Sequence, residues 1–293
     1  MALAQRITVR DGFALSKVVC GSNKTNPFSG GSHHPRLVSR KIETNPGGTA
    51  LISERQLADL FDSFWQQHFP LLNSSFVRRF NAEKQQRVTD MNGNPMLPVP
   101  MGDGVQRFDL VAELAFEMAI ERHKISRGEK ADFAVATQHA LDKIAVLKGE
   151  AFIPKPSERE VAETERLLNV YDKFFALLSP VNVFFKPTIM GAGILDEMEG
   201  DFCTSETLFE VKAVNRNLQS SDLRQVICYL IAGLGSRRYV WSEYCIFNPR
   251  LAVYYYGRID ELLAYISGRT PHECIASVLD ALMEREQPLE ARF

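Results

Sequence analysis

Two acids and a lysine cluster in Glu199-Gly200-Asp201-Phe202 and Leu208-Phe209-Glu210-Val211-Lys212, and a glutamine and a tyrosine four residues apart follow at Gln225 and Tyr229. From Thr207 to Lys212 the alternation of a strand places Glu210 and Lys212 on one face and Phe209 and Val211 on the other. Asp201 lies nine positions before Glu210, and the short polar stretch Cys203-Thr204-Ser205-Glu206 suits a hairpin turn that sets the two acids side by side. Paired carboxylates repel unless a cation lies between them, and oxygen ligands of this kind suit Mg²⁺ or Mn²⁺ rather than Zn²⁺. A cation held there polarises a phosphate oxygen and acidifies a bound water, while Lys212 positions that water and offsets charge on phosphorus. The pattern points to metal-assisted hydrolysis of a phosphodiester.

The order of parts is an apolar strand ending in Gly200-Asp201, a hairpin, a Glu-x-Lys strand and an amphipathic helix carrying Gln225-Val226-Ile227-Cys228-Tyr229. That order resembles the PD-(D/E)XK nuclease superfamily, in its RecB-like branch with a QxxxY motif. Gly200 stands where the eponymous proline would be. The resemblance runs from Ser157 to Ile266 and leaves the first half of the chain unassigned. It implies an α/β, restriction-endonuclease-like core, a mixed central sheet flanked by helices. Asp201, Glu210 and the Val211 carbonyl would hold the metal, Lys212 would serve the water or the transition state, and Gln225 and Tyr229, which share a helix face, would orient site and DNA. Members of the superfamily often add an acid from the preceding helix, for which Glu160 and Glu163 are the candidates, though surface charge is the simpler expectation for each. The implied function is an Mg²⁺-dependent DNA nuclease of bacterial defence, restriction or DNA processing, often working beside a helicase or ATPase. Two other readings stay open: a sequence-specific restriction endonuclease acting as a homodimer, and a non-catalytic nucleic-acid-binding subunit of a larger complex.

The elements that must position these residues are legible around them. Ser157 to Leu178 reads as a helix with Val161, Leu167, Leu168, Tyr171, Phe175 and Leu178 along one side. Phe184 to Ile189 and Gly191 to Leu195 read as strand, bent or bulged, feeding into Asp201. After the QxxxY helix, Tyr239-Val240-Trp241 and Tyr244-Cys245-Ile246-Phe247 read as strand, and Asn248-Pro249-Arg250 marks a join to a further strand through Tyr256. Arg216, Arg224 and Arg250, with Arg237 and Arg238, are expected near the site as phosphate contacts.

Composition bounds the rest. A chain of 293 residues with 45% hydrophobic content can bury a large core, and a net charge of −2 confines nucleic-acid binding to local basic patches. No apolar run is long enough for a bilayer and Met1 to Arg10 lacks the apolar core of a signal peptide, so a cytoplasmic protein is expected. The five cysteines are scattered and predict buried free thiols rather than a zinc or iron–sulfur site, and the six histidines show no metal spacing. No Walker-type phosphate loop is present, so any motor would belong to a partner. Seven Lys or Arg stand against Asp11 alone between Arg6 and Lys41, predicting a basic, loop-rich arm over 1–50. Ser53 and Gln56 form a capping box ahead of an apolar stripe of Leu57, Leu60, Phe61, Phe64 and Trp65. Further helices are expected from Arg107 to Lys124 and from Ala131 to Leu147, with a loop or hairpin from Met91 to Val105. The organisation expected is therefore the arm, a mostly α-helical accessory region over 51–153, and a nuclease domain over 154–293.

Overall fold

The computed structural model describes residues 51–178 and 181–284, so the N-terminal arm, with Cys20, His33 and His34, lies outside the described residues. Six strands form one mixed sheet: β1 (Gln85–Arg87), β2 (Phe184–Phe185), β5 (Phe202–Cys203), β6 (Thr207–Val211), β7 (Glu243–Asn248) and β8 (Val253–Arg258), in the order β1-β8-β7-β6-β5-β2. β3 (Thr188–Ile189) and β4 (Met198–Glu199) form a separate two-stranded ribbon. Among the described strands of this sheet only the β6–β7 pair is parallel. A parallel pair requires a crossover, and the helix Ser220–Gly235 supplies it.

The period-2 geometry of the strands splits the core in two. Leu208, Ile246, Val253 and Tyr255 enter one apolar layer, and Phe209, Phe247, Tyr254 and Tyr256 enter the other. On the second face lie helices α4 (Phe108–Ser126) and α6 (Glu158–Leu178). Phe174 of α6 stacks on Phe247 with ring centroids 4.0 Å apart at 5°, and Phe202 stacks on Phe209 at 4.5 Å. The first face is covered by the crossover helix together with α1 (Glu54–Leu60), α2 (Asp62–His68), α3 (Ser74–Lys84), α8 (Ile259–Ser267) and α9 (Pro271–Glu284). α5 (Phe133–Lys148) packs outside α4 through Leu110, Leu114, Ala140, Leu141 and Ile144. In chain order the crossover helix is α7.

Several expectations are revised. The helix after Ser53 is two helices broken at Phe61, and Leu60, expected in the apolar stripe, is 74% exposed, because the break rotates the buried face onto Leu57, Phe64 and Trp65. Ser74–Lys84 is a helix that the sequence reading passed over. Tyr239 to Trp241 is not a strand. There Tyr239 stacks on Trp241 at 4.1 Å and its hydroxyl donates to the Thr188 carbonyl, so the segment is held by side chains rather than by a ladder. The stretch from Phe184 to Leu195 is not a continuous strand but is divided between β2 and β3, with Lys186 in the left-handed region at φ 51°.

Residues 51–153 do not stand apart from the sheet. β1 pairs with β8, and Leu57, Phe64, Trp65 and Phe80 share the core of the α7 face. Glu160 and Glu163, the two candidate extra acids, are buried rather than surface charges, and both are consumed by arginines. Arg107 grips Glu160 through Nε–Oε1 at 2.8 Å and Nη2–Oε2 at 2.5 Å, and the Ser157 N–H donates to the same carboxylate at 2.8 Å. Glu163 accepts from Arg250 Nη1 and from the Gly102 N–H, each at 2.6 Å.

The Arg107 hydrogen bonds hold the Glu160 carboxyl down to about 2 from its ordinary 4.5. Because the folded value is depressed, the pair's contribution is complete above pH 4.5 and is lost as pH falls towards 2, a swing of up to about 3 kcal/mol. Urea midpoints measured from pH 6 down to 2.5 should therefore fall more steeply for the wild type than for Glu160→Gln. Parallel curves would show that the pair carries no such linkage.

Candidate active site

The turn Thr204 to Glu206 closes a hairpin in which Phe202 pairs with Phe209 and Cys203 with Leu208. The next register position sets Asp201 against Glu210. Asp201 Oδ2 accepts the Val211 N–H at 2.6 Å, which ties the first acid to the Glu-x-Lys strand. Leu208 packs on the α7 face, so Glu210 and Lys212, in phase with it, face α7, while Phe209 and Val211 pack towards α6. Lys212 Nζ lies 2.8 Å from Glu210 Oε1 and also donates to Gln225 Oε1. Gln225 Nε2 donates to the Tyr229 hydroxyl at 2.8 Å. One hydrogen-bonded chain thus runs from Glu210 through Lys212 and Gln225 to Tyr229, because residues i and i+4 of α7 share a face.

The chain ends on a residue the sequence reading did not single out. Glu54 Oε1 accepts from Gln225 Nε2 and from the Tyr229 hydroxyl, both at 3.3 Å. Glu54 is the first residue of α1, and its position is fixed by the Ser53–Gln56 capping box, in which both reciprocal bonds form. The capping box was legible in the sequence. That it delivers an acid to a helix more than 160 residues away was not. Glu54→Gln keeps the side chain's shape while removing its charge, so it should leave the fold intact and, by misorienting Gln225, cut about tenfold any turnover that depends on this network. An unchanged rate would make Glu54 a packing residue only.

Burial, and then the Glu210 carboxylate beside it, push Asp201 well above the usual carboxylate range, against the Val211 N–H that pulls it down. Burial alone would lower Lys212, but Glu210 and Asp201 outweigh it and leave the ammonium above its ordinary value. Burial, followed by Glu210 and Glu54, raises the Tyr229 phenol, so it is a neutral hydrogen-bonding group near pH 7. From the far side Lys143, 2.7 Å from Glu113, adds positive field at Asp201.

Among the described residues no group of three His, Cys, Asp or Glu gathers as a cation site. The donors that fit a divalent ion are the Asp201 and Glu210 carboxylates with the adjacent main chain. Their fit lies in the charge balance: burial and then the neighbouring Glu210 drive Asp201 towards its neutral form, and a hard cation is the partner that would favour its carboxylate.

Three of the five arginines expected at the phosphate differ in fate. Arg250 does not face the site. It is 1% exposed, bonded to Glu163 of α6 and set over the Phe108 ring at 5.6 Å. Arg216 is bound to Asp222 at 2.6 Å, and Arg224 to Asp62 at 2.7 Å and to the Ala58 carbonyl at 2.9 Å. Both remain partly exposed, Arg216 just before α7 and Arg224 on it. Cys203, Cys228, Cys245 and Cys274 are buried free thiols, and burial raises each one, Cys203 to about 11. None is a nucleophile at neutral pH. No described helix is long and apolar enough to cross a membrane.

Comparison with known proteins returned no matching family model, no matching curated protein and no matching solved structure.

Proposed function

We propose that this chain is a divalent-metal-dependent nuclease with a restriction-endonuclease-like core, hydrolysing phosphodiester bonds of DNA. The observation that carries the reading is the single polar cluster in which Asp201 is tied to the Glu210–Lys212 strand and Lys212 is joined through Gln225 to Tyr229 and Glu54. Chance surface charge does not draw a buried glutamate and glutamine and a half-buried aspartate and lysine into one connected network. The topology supports it as well: antiparallel β2, β5 and β6, then a helical crossover to β7 parallel to β6, an order in which β6 ends at the site and α7 lies across it.

A bound Mg²⁺ or Mn²⁺ would polarise a phosphate oxygen and acidify a water, with Asp201 and Glu210 as its ligands. Lys212, held between Glu210 and Gln225, stays protonated and orients a water or offsets charge growing on phosphorus. Gln225 fixes the lysine's direction, and Tyr229 and Glu54 fix the Gln225 amide. The test is incubation of the purified protein with supercoiled, linear duplex and single-stranded DNA, and with RNA, in Mg²⁺, Mn²⁺ or EDTA. Metal-dependent cleavage of DNA is expected. Absence of both cleavage and metal binding would sink the reading.

A further inference from the structure

Phe185 pairs with Phe202, and one step further in the same register Lys186 meets Asp201. The Lys186 N–H donates to the Asp201 carbonyl at 2.8 Å, and the Gly200 N–H donates to the Pro187 carbonyl at 3.0 Å. Gly200 and Asp201 are thus held from one short turn, and Lys186 makes that turn in the left-handed region that favours glycine, at φ 51°. A lysine in that conformation carries a cost that its surroundings must offset. Its ammonium supplies the offset by donating to Glu117 Oε1 of α4. Glu117 is 4% exposed, and its other carboxylate oxygen has the His139 ring at 3.9 Å. A carboxylate so buried is stable as an ion only against a close cation.

The direction of the side chain accounts for the strained backbone. Strand alternation would turn Lys186 away from Phe185 and onto the α7 face, where Glu210 and Lys212 lie. Glu117 sits instead on α4, which covers the face that Phe185 and Phe202 pack against. The left-handed turn brings the lysine to that face, and the ion pair keeps the turn from relaxing into ordinary strand, which would carry the Lys186 N–H off the Asp201 carbonyl. Lys186 acts through the main chain rather than through its charge, since the cations whose field acts on Asp201 are Lys212 and Lys143. We propose that Lys186 is a positioning residue for Asp201, clamped by Glu117 so that its own N–H holds the Asp201 main chain and thereby keeps the carboxylate in register with Glu210. The proposal rests on the nuclease reading, in which Asp201 is a metal donor, and adds the device that keeps that donor aimed.

The test compares the full chain as wild type with Glu117→Gln, Lys186→Met and Lys186→Arg, with thermal melting to check that each folds. Glu117→Gln strands no buried charge, because the Lys186 side chain is 30% exposed and can turn to solvent. The first readout is amide hydrogen exchange without metal or DNA. In Glu117→Gln and Lys186→Met the N–H groups of residue 186 and of Val211, both bonded to Asp201, should exchange about tenfold faster while those of β7 and β8 keep their wild-type rates. The second readout is DNA cleavage in Mg²⁺, where kcat should fall about tenfold with KM unchanged. Lys186→Arg, which keeps a cation on Glu117, should recover most of both losses. Wild-type exchange at the two amides in both folded variants, faster exchange with undiminished kcat, or a lower kcat without faster exchange each overturns the positioning role. Faster exchange in the variants of a wild type that never cuts would keep the hold on Asp201 and discard the nuclease. A wild type that cuts, with variants unchanged in exchange, would do the reverse.

Discussion

Glu210→Gln and Lys212→Met should each lower DNA cleavage about 10³-fold or more while leaving DNA affinity within a few-fold of the wild type. The size follows from what each group does. In the proposed reading Glu210 is a metal donor, and after burial its charge is the next cause that raises Asp201, so its neutral isostere would remove a ligand and one of the two causes that favour a cation there. Lys212 sits between Glu210 and Gln225, so replacing it by an isosteric apolar chain removes the cation in direct contact with that pair. The lysine variant also leaves a carboxylate and an amide without their partner, at a cost of about 1–3 kcal/mol. Cleavage must accordingly be read beside circular-dichroism melting. The informative measurement is turnover at saturating DNA in Mg²⁺, with affinity taken separately in EDTA. Folded variants that cut within tenfold of the wild type would place the chemistry elsewhere.

The second large effect lies away from the chemistry. Arg250→Ala should destabilise the protein by about 3–5 kcal/mol, because it strands a carboxylate that is 0% exposed. Glu163 would keep only the Gly102 N–H and the longer contact to Arg166 at 3.7 Å. The double variant Glu163→Leu with Arg250→Met should recover most of that loss, since a buried ion pair and an apolar pair of similar volume differ little in net stability. Urea midpoints of the two single variants and the double variant form the cycle. If the losses simply add, the pair is not coupled and the buried geometry has another purpose. DNA affinity measured on the stable double variant separates this structural role from the phosphate contact that the sequence suggested for Arg250.

These two sites show where reading a chain residue by residue succeeds and where it stops. The Glu210–Lys212 face was legible because strand alternation is local, and so was the Gln225–Tyr229 pair, because four residues make about one helical turn. The turn at Thr204 to Glu206 was legible for the same reason, and it carries Asp201 to Glu210. The sheet order was only partly so. β6, β7 and β8 announce themselves as apolar runs, but β1 is three polar residues, Gln85–Arg87, made a strand by the free edge of β8 rather than by any preference of its own.

Long-range partners could not be read at all. Glu54, Arg107 and Lys143 carry no local mark of their roles, since an exposed charge and a buried one look alike in sequence and differ only in what the fold brings against them. Arg250 follows Pro249 in what reads as a solvated loop, yet it is among the most buried side chains, because Glu163 arrives from α6 to neutralise it. The sequence by itself determined the chemistry on offer, two acids, a lysine and a helical glutamine–tyrosine pair, through spacings set by strand and helix geometry. Only the tertiary structure decided which charges meet, because desolvation makes a buried charge tolerable where its opposite is packed against it and nowhere else.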